Sequence, residues 1–278
     1  MRARQTKVTA AILVLSLGAG VGVWRGMGPL PGSAPEAPAA ALPIPPFPPR
    51  IASGAPYEQC LAALSEDPEH ARTMADTWQT EGGGDGAVHC QGLALIATGE
   101  PEAGAARLEA LARGSLAPPL ARAAVLGQAA QARLMAAQPD RSVEDATQAL
   151  KLAPENTDLL MTRAMAAAEL DRLDAAIADL NRVIALEPDR ADALVMRAGT
   201  LRQQDRLNPA MEDVQRALAL DPDEAEALLE RGIIRQRLGD IVGARADWQR
   251  ARAADPNSTT ADLAEQNLAL LDAGPRQR

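Results

Sequence analysis

Four prolines, Pro154, Pro188, Pro222 and Pro256, recur every 34 residues, and each closes a near-copy of one pattern. A fixed period of this length restricts the chain to stacked supersecondary units, because one helical hairpin cannot bury its apolar face alone and must lay it against the next copy. Such a stack is elongated and offers a long surface rather than a central pocket. Composition selects helices: 47% of the 278 residues are hydrophobic but only 2% aromatic, so Ala and Leu, the strongest helix formers, must do the packing. The net charge of −9 argues against a nucleic-acid partner, whose binding needs clustered Lys and Arg; lysine occurs only at Lys7 and Lys151.

Laid over itself, the chain yields three full units, 157–190, 191–224 and 225–258. Leu160, Leu194 and Leu228 share the fourth position, and Ala164, Ala198 and Gly232 the eighth. Ala176, Ala210 and Ala244 share the twentieth; Leu180, Val214 and Trp248 the twenty-fourth; Val183, Ala217 and Ala251 the twenty-seventh. Small residues at the eighth and twentieth positions let two helices cross closely, while the larger ones fill the space between hairpins. Leu170-Asp171-Arg172 and Leu238-Gly239-Asp240 mark the turn inside a hairpin, and each proline opens the next hairpin, since it disfavours helix in the residue before it. Weaker units cover 123–156 and 85–122, the latter displaced by an insertion near Pro118-Pro119. Residues 57–84 read as one further hairpin, and 259–272 as a capping helix that gives the stack a polar end.

A second correlation has the same period. Arg163, Arg197 and Arg231 hold the seventh position, and Asp179, Asp213 and Asp247 the twenty-third, one on each helix of a hairpin. Three Arg-to-Asp bridges are expected. A clamp of three arginines for an acidic ligand is the competing reading, and it is the weaker one because each Arg carries its own Asp.

These residues resemble the tetratricopeptide repeat family, with its large residue at position 4, small residues at 8 and 20, aromatic at 24, Ala at 27 and Pro at 32. Only Trp248 keeps the ring at position 24. The resemblance implies an all-α, right-handed solenoid of stacked hairpins whose first helices line a concave groove at positions 2, 5, 9, 12 and 13. Those positions are Asp158, Met161, Met165, Ala168 and Glu169; Asp192, Val195, Gly199, Arg202 and Gln203; Glu226, Leu229, Ile233, Gln236 and Arg237. The Lys and Asn that hold a terminal carboxylate in the family's chaperone-tail binders are missing. What remains is an apolar strip, Met161, Met165, Val195, Leu229 and Ile233, edged by Asp158, Asp192 and Glu226, which suits an apolar segment with basic flanks. The other reading is that these side chains pack against neighbouring hairpins.

Ahead of the repeats, Arg2, Arg4 and Lys7 precede an uncharged run from Val8 to Trp24 within a 1–28 export element. It reads as a retained membrane anchor or as a cleaved signal peptide; both place the remainder outside the cytoplasm, in the periplasm. Residues 29–56 hold ten of the 21 prolines and read as an extended linker, a spacer in preference to an SH3-like ligand. Cys60 and Cys90 are the only cysteines, and an exported chain favours a disulfide between them. A zinc site adding His70 and His89 is the alternative, though its spacing fits no usual zinc pattern. Gly82-Gly83-Gly84-Asp85-Gly86 lacks the Lys-Ser or Lys-Thr of a phosphate loop and reads as a flexible interhelical turn.

No catalytic constellation or cofactor motif can be assembled. The expectation is a non-catalytic adaptor or scaffold of the cell envelope that takes a peptide or helix of another envelope protein. A holder of exported clients, as in cytochrome c maturation, is the alternative within binding, and an enzyme with an unrecognised acid pair the alternative outside it.

Overall fold

A computed structural model describes residues 50–273. The run from Val8 to Trp24 and the prolines from 29 to 49 lie outside the described residues, and so do the anchor and most of the linker expected there. The described chain is thirteen helices without a strand: α1 (Ala55–Glu66), α2 (Pro68–Thr80), α3 (Gly84–Ala97), α4 (Pro101–Gly114), α5 (Pro119–Met135), α6 (Pro139–Leu152), α7 (Thr157–Glu169), α8 (Leu173–Leu186), α9 (Ala191–Gln203), α10 (Leu207–Leu220), α11 (Ala225–Arg237), α12 (Ile241–Ala254) and α13 (Thr259–Ala273). Each helix packs on the next along the chain, making six hairpins, with α13 laid over α11 and α12. None of these helices is long and apolar enough to cross a membrane.

The periodic residues form the core. Leu160, Leu194 and Leu228, Ala176, Ala210 and Ala244, and Leu180, Val214 and Trp248 are all 0% exposed. Gly232 sits under Trp248, where a Cβ would fall 2.3 Å from the indole Nε1. Trp248 therefore needs glycine at the eighth position, where Leu180 and Val214 accept alanine.

The turn inside each of the last five hairpins has one conformation. Gly99, Ala137, Asp171, Asp205 and Gly239 all adopt positive φ, and the residue after each donates its N–H back to the last helical turn, as Arg172 does to the Ala167 carbonyl at 2.8 Å. Glycine takes this left-handed conformation freely and Asp tolerates it, which explains the Gly-or-Asp signature. The prolines between hairpins also act as acceptors: Arg216 donates to the Pro188 carbonyl at 3.1 Å and Arg250 to that of Pro222 at 2.7 Å. The 34-residue period thus carries its own inter-hairpin hydrogen bond.

Two expectations change at the amino-terminal end. The linker stops short of residue 56: Ile51 is buried, Arg50 pairs with Glu58 at 2.6 Å, and α1 starts at Ala55. An apolar residue and a paired charge let this stretch dock instead of remaining a spacer. The glycine run is likewise more than a loose turn. Gly84 and Gly86 belong to α3, and a Cβ on Gly83 or Gly86 would lie 2.7 or 2.6 Å from the Trp78 ring. These glycines make room for an indole.

Candidate functional site

The first helices of the later hairpins lie side by side, with α5 against α7 and α9 against α11. Their fifth positions face the adjacent first helix: a Cβ on Gly127 of α5 would lie 2.6 Å from Leu159 Cδ2 of α7. For the same reason Met161, Val195 and Leu229 are 6%, 1% and 2% exposed. The expected apolar strip is corrected accordingly: these three side chains seal the contacts between hairpins and do not line the groove. Met165 and Ile233 remain half-buried and open to a ligand.

One edge of the groove is acidic. Asp158 on α7, Asp192 on α9 and Glu226 on α11 sit in the first turns of three successive first helices. Glu224 caps α11 by accepting from the Glu226 and Ala227 amides. Arg190 is the cation among them, donating to Asp158 at 2.8 Å, Asp192 at 3.0 Å and Glu187 at 3.1 Å. Burial first, then repulsion from Glu224 and Asp192, pushes the Glu226 carboxyl up to about 7. An approaching cation would favour its ionised form and release a proton.

The arginines of the repeat lie elsewhere. Arg163 grips Asp179 with two bonds, 2.8 and 2.7 Å; Arg197 grips Asp213 at 2.7 and 2.6 Å; Arg231 grips Asp247 at 2.8 and 2.6 Å. Each fork joins the two helices of one hairpin, with the carboxylate buried. Arg163 and Arg197 also reach Thr147 and Asn181 on the preceding hairpin. Arg202, placed in the groove by its position, pairs with the buried Glu230 of α11 and is committed to the scaffold. Cys60 and Cys90 are joined by a disulfide, Cα to Cα 6.3 Å. His89 is buried between the Tyr57 hydroxyl at 2.6 Å and Gln128 Oε1 at 2.7 Å, while His70 is exposed, so the four residues of the zinc alternative do not converge.

Tetratricopeptide repeat profiles match residues 128–191, 162–222 and 198–269. The chain belongs to the tetratricopeptide repeat family. Among solved structures, MamA 41-end from Desulfovibrio magneticus RS-1 is 20% identical, with a TM-score of 0.55 over 63% of this chain and 97% of that one. A further MamA crystal structure is 17% identical, with a TM-score of 0.52 over 59% and 94%. A thermophilic TPR protein of Thermus thermophilus is 19% identical, with a TM-score of 0.54 over 67% and 98%. These likenesses show the fold. No curated protein matches the chain.

Tetratricopeptide repeat proteins are in general scaffolds for protein interaction, and the fold is typically non-catalytic. Within this family frame, the residues that sequence reasoning missed are Arg190, Glu224 and Glu230. Arg190 pairs with Asp158, 32 residues earlier, and the same spacing joins Arg172 to Asp140 and Arg237 to Asp205. A search for charge pairs two residues short of the repeat period finds this set.

Proposed function

We propose that the protein is a non-catalytic adaptor of the cell envelope, held at the inner membrane through Val8–Trp24, with its repeat domain in the periplasm. Its groove takes a peptide or helical segment of another envelope protein, apolar where it meets Met165 and Ile233 and basic where it crosses the acidic edge. The observation that carries this reading is the run of carboxylates Asp158, Asp192, Glu224 and Glu226 along one edge, of which only Asp158 and Asp192 share the cation Arg190. Complementary charge of that kind sets register and partner choice. The Cys60–Cys90 disulfide supports an oxidising compartment.

The test places a photo-crosslinking amino acid at Ile233 of the full chain in native membranes. The proposal expects an adduct with one envelope protein that disappears in Glu226→Lys. An adduct unchanged by that substitution, or none, would contradict it.

A further inference from the structure

Among the described residues, six buried side-chain atoms have no hydrogen-bond partner, and three of them meet in the third hairpin: Arg133 Nε of α5, and Asp145 Oδ2 and Ser142 Oγ of α6. Arg133, Asp145 and Ser142 are 6%, 2% and 0% exposed, and Glu109 of α4, which joins them, is 8% exposed. Arg133 Nη2 donates to Glu109 Oε2 at 3.2 Å and Nη1 to Gln138 Oε1 at 2.8 Å. Its Nε stops 3.6 Å from Asp145 Oδ2, beyond hydrogen-bond reach. One guanidinium therefore stands between two buried carboxylates and grips neither with the two-bond fork made by Arg163, Arg197 and Arg231.

The two ties do different work. The bond to Glu109 fastens the second hairpin to the third, while the approach to Asp145 fastens the two helices of the third to each other. Asp145 is the carboxyl poised to change: burial first, then repulsion from Glu109, outweighs the pull of Arg133 and Arg113 and raises it to about 6. The remaining charges around it are engaged. Arg113 of α4 pairs with Glu109, and Arg141 of α6 pairs with Glu144. Arg163 of α7 touches α6 at Thr147 but is committed to Asp179. Ser142 lies three residues before Asp145 on the same face of α6, so a protonated Asp145 has a hydroxyl acceptor at hand.

We propose that Glu109, Arg133 and Asp145 form a proton-controlled joint between the second and third hairpins, locked when Asp145 carries a proton and Arg133 serves Glu109 alone, and loosened when Asp145 ionises and competes for the same guanidinium. A carboxyl raised in the folded chain contributes stability that is full below about pH 4 and is lost as pH rises through about 6. Because each unit of a solenoid contacts only its neighbours, the loosening stays at this junction, where the irregular front meets the regular repeats.

The experiment is hydrogen exchange read by mass spectrometry on the full chain at pH 5 and pH 7.5, corrected for intrinsic exchange. The proposal expects α4 to α6 to open about tenfold more at pH 7.5, with α9 to α12 unchanged. Asp145→Asn, which stands in for the protonated carboxyl, should slow exchange at pH 7.5 and remove the difference. Glu109→Gln, which leaves Arg133 to Asp145 alone, should shrink it, an effect that a merely structural pair would not show. Both substitutions keep His89, so its own response to pH cancels in the comparison. No pH response in α4 to α6, one that survives Asp145→Asn, one of opposite sign, or one spread evenly along the solenoid would each overturn the proposal.

Discussion

The three carboxyl-terminal hairpins, α7 to α12, and the three before them, α1 to α6, share one geometry and are fastened differently. In the later hairpins an Arg at the seventh position grips a buried Asp at the twenty-third. In the third hairpin the Asp is present as Asp145 but the seventh position is Ala129, and its cation comes from Arg133, one helical turn further on. Arg133 is shared with Glu109, so Asp145 is poorly compensated: burial first, then repulsion from Glu109, pushes its carboxyl up to about 6. The first two hairpins have no such bridge and rely on the Cys60–Cys90 disulfide and the Tyr57–His89–Gln128 hydrogen bonds. The regular half repeats one solution. The front half replaces it with single fastenings, and the chain's own residues 50–52 cover its face.

The largest effect should come from breaking a repeated bridge. Arg197→Ala leaves Asp213 buried without its cation, and a loss of about 3 to 5 kcal/mol is expected in urea unfolding. Adding Asp213→Ala should restore part of it; strict additivity would mean that the pair is not coupled. Next comes the front: replacing Cys60 and Cys90 with Ser opens a separation of 30 residues and should cost about 3 to 4 kcal/mol. Because a solenoid is held by nearest neighbours, hydrogen exchange should rise in α1 to α3 while α9 to α12 keep their protection. Equal loss along the whole chain would erase the distinction between the halves.

Two single groups, His89 in the front half and Glu226 in the later one, should answer pH with opposite sign. Burial holds His89 down to about 4, so the unfolded chain binds its proton first, and the front loses stability as pH falls from about 6.5 toward 4. Glu226, raised to about 7, binds its proton more tightly when folded, so its neighbourhood loses stability as pH rises from about 4.5 to 7. Glu226→Gln should therefore stabilise by about 1 kcal/mol at pH 8, after discounting for solvent screening, and by nothing at pH 5; urea midpoints at the two values decide it. The smallest change expected is at Ala137, the only turn residue at positive φ among the described residues that is neither Gly nor Asp. Ala137→Gly should gain about 0.5 to 1 kcal/mol by thermal unfolding, against no gain if the turn is unstrained.

The architecture was legible because burial in a solenoid follows the sequence period. Leu160, Ala176 and Leu180 could be assigned from spacing alone, and the Arg–Asp forks from a second spacing in the same alignment. The groove was less legible for a physical reason. Position alone does not say whether a side chain on a first helix points at a ligand or at the next first helix, and Met161, Val195 and Leu229 take the second course. Arg202 looked free because its partner, Glu230, sits on another hairpin at a spacing different from the repeat. The front half was least legible, since Tyr57, His89 and Gln128 occur once each in their network and no period exposes them.

The most direct measurement is selection of a random peptide library on the purified repeat protein, with and without Asp192→Lys and Glu226→Lys. The account predicts enrichment of apolar peptides flanked by Arg or Lys, lost when both substitutions are present. Enrichment of acidic peptides, or a selection that ignores the two substitutions, would contradict it.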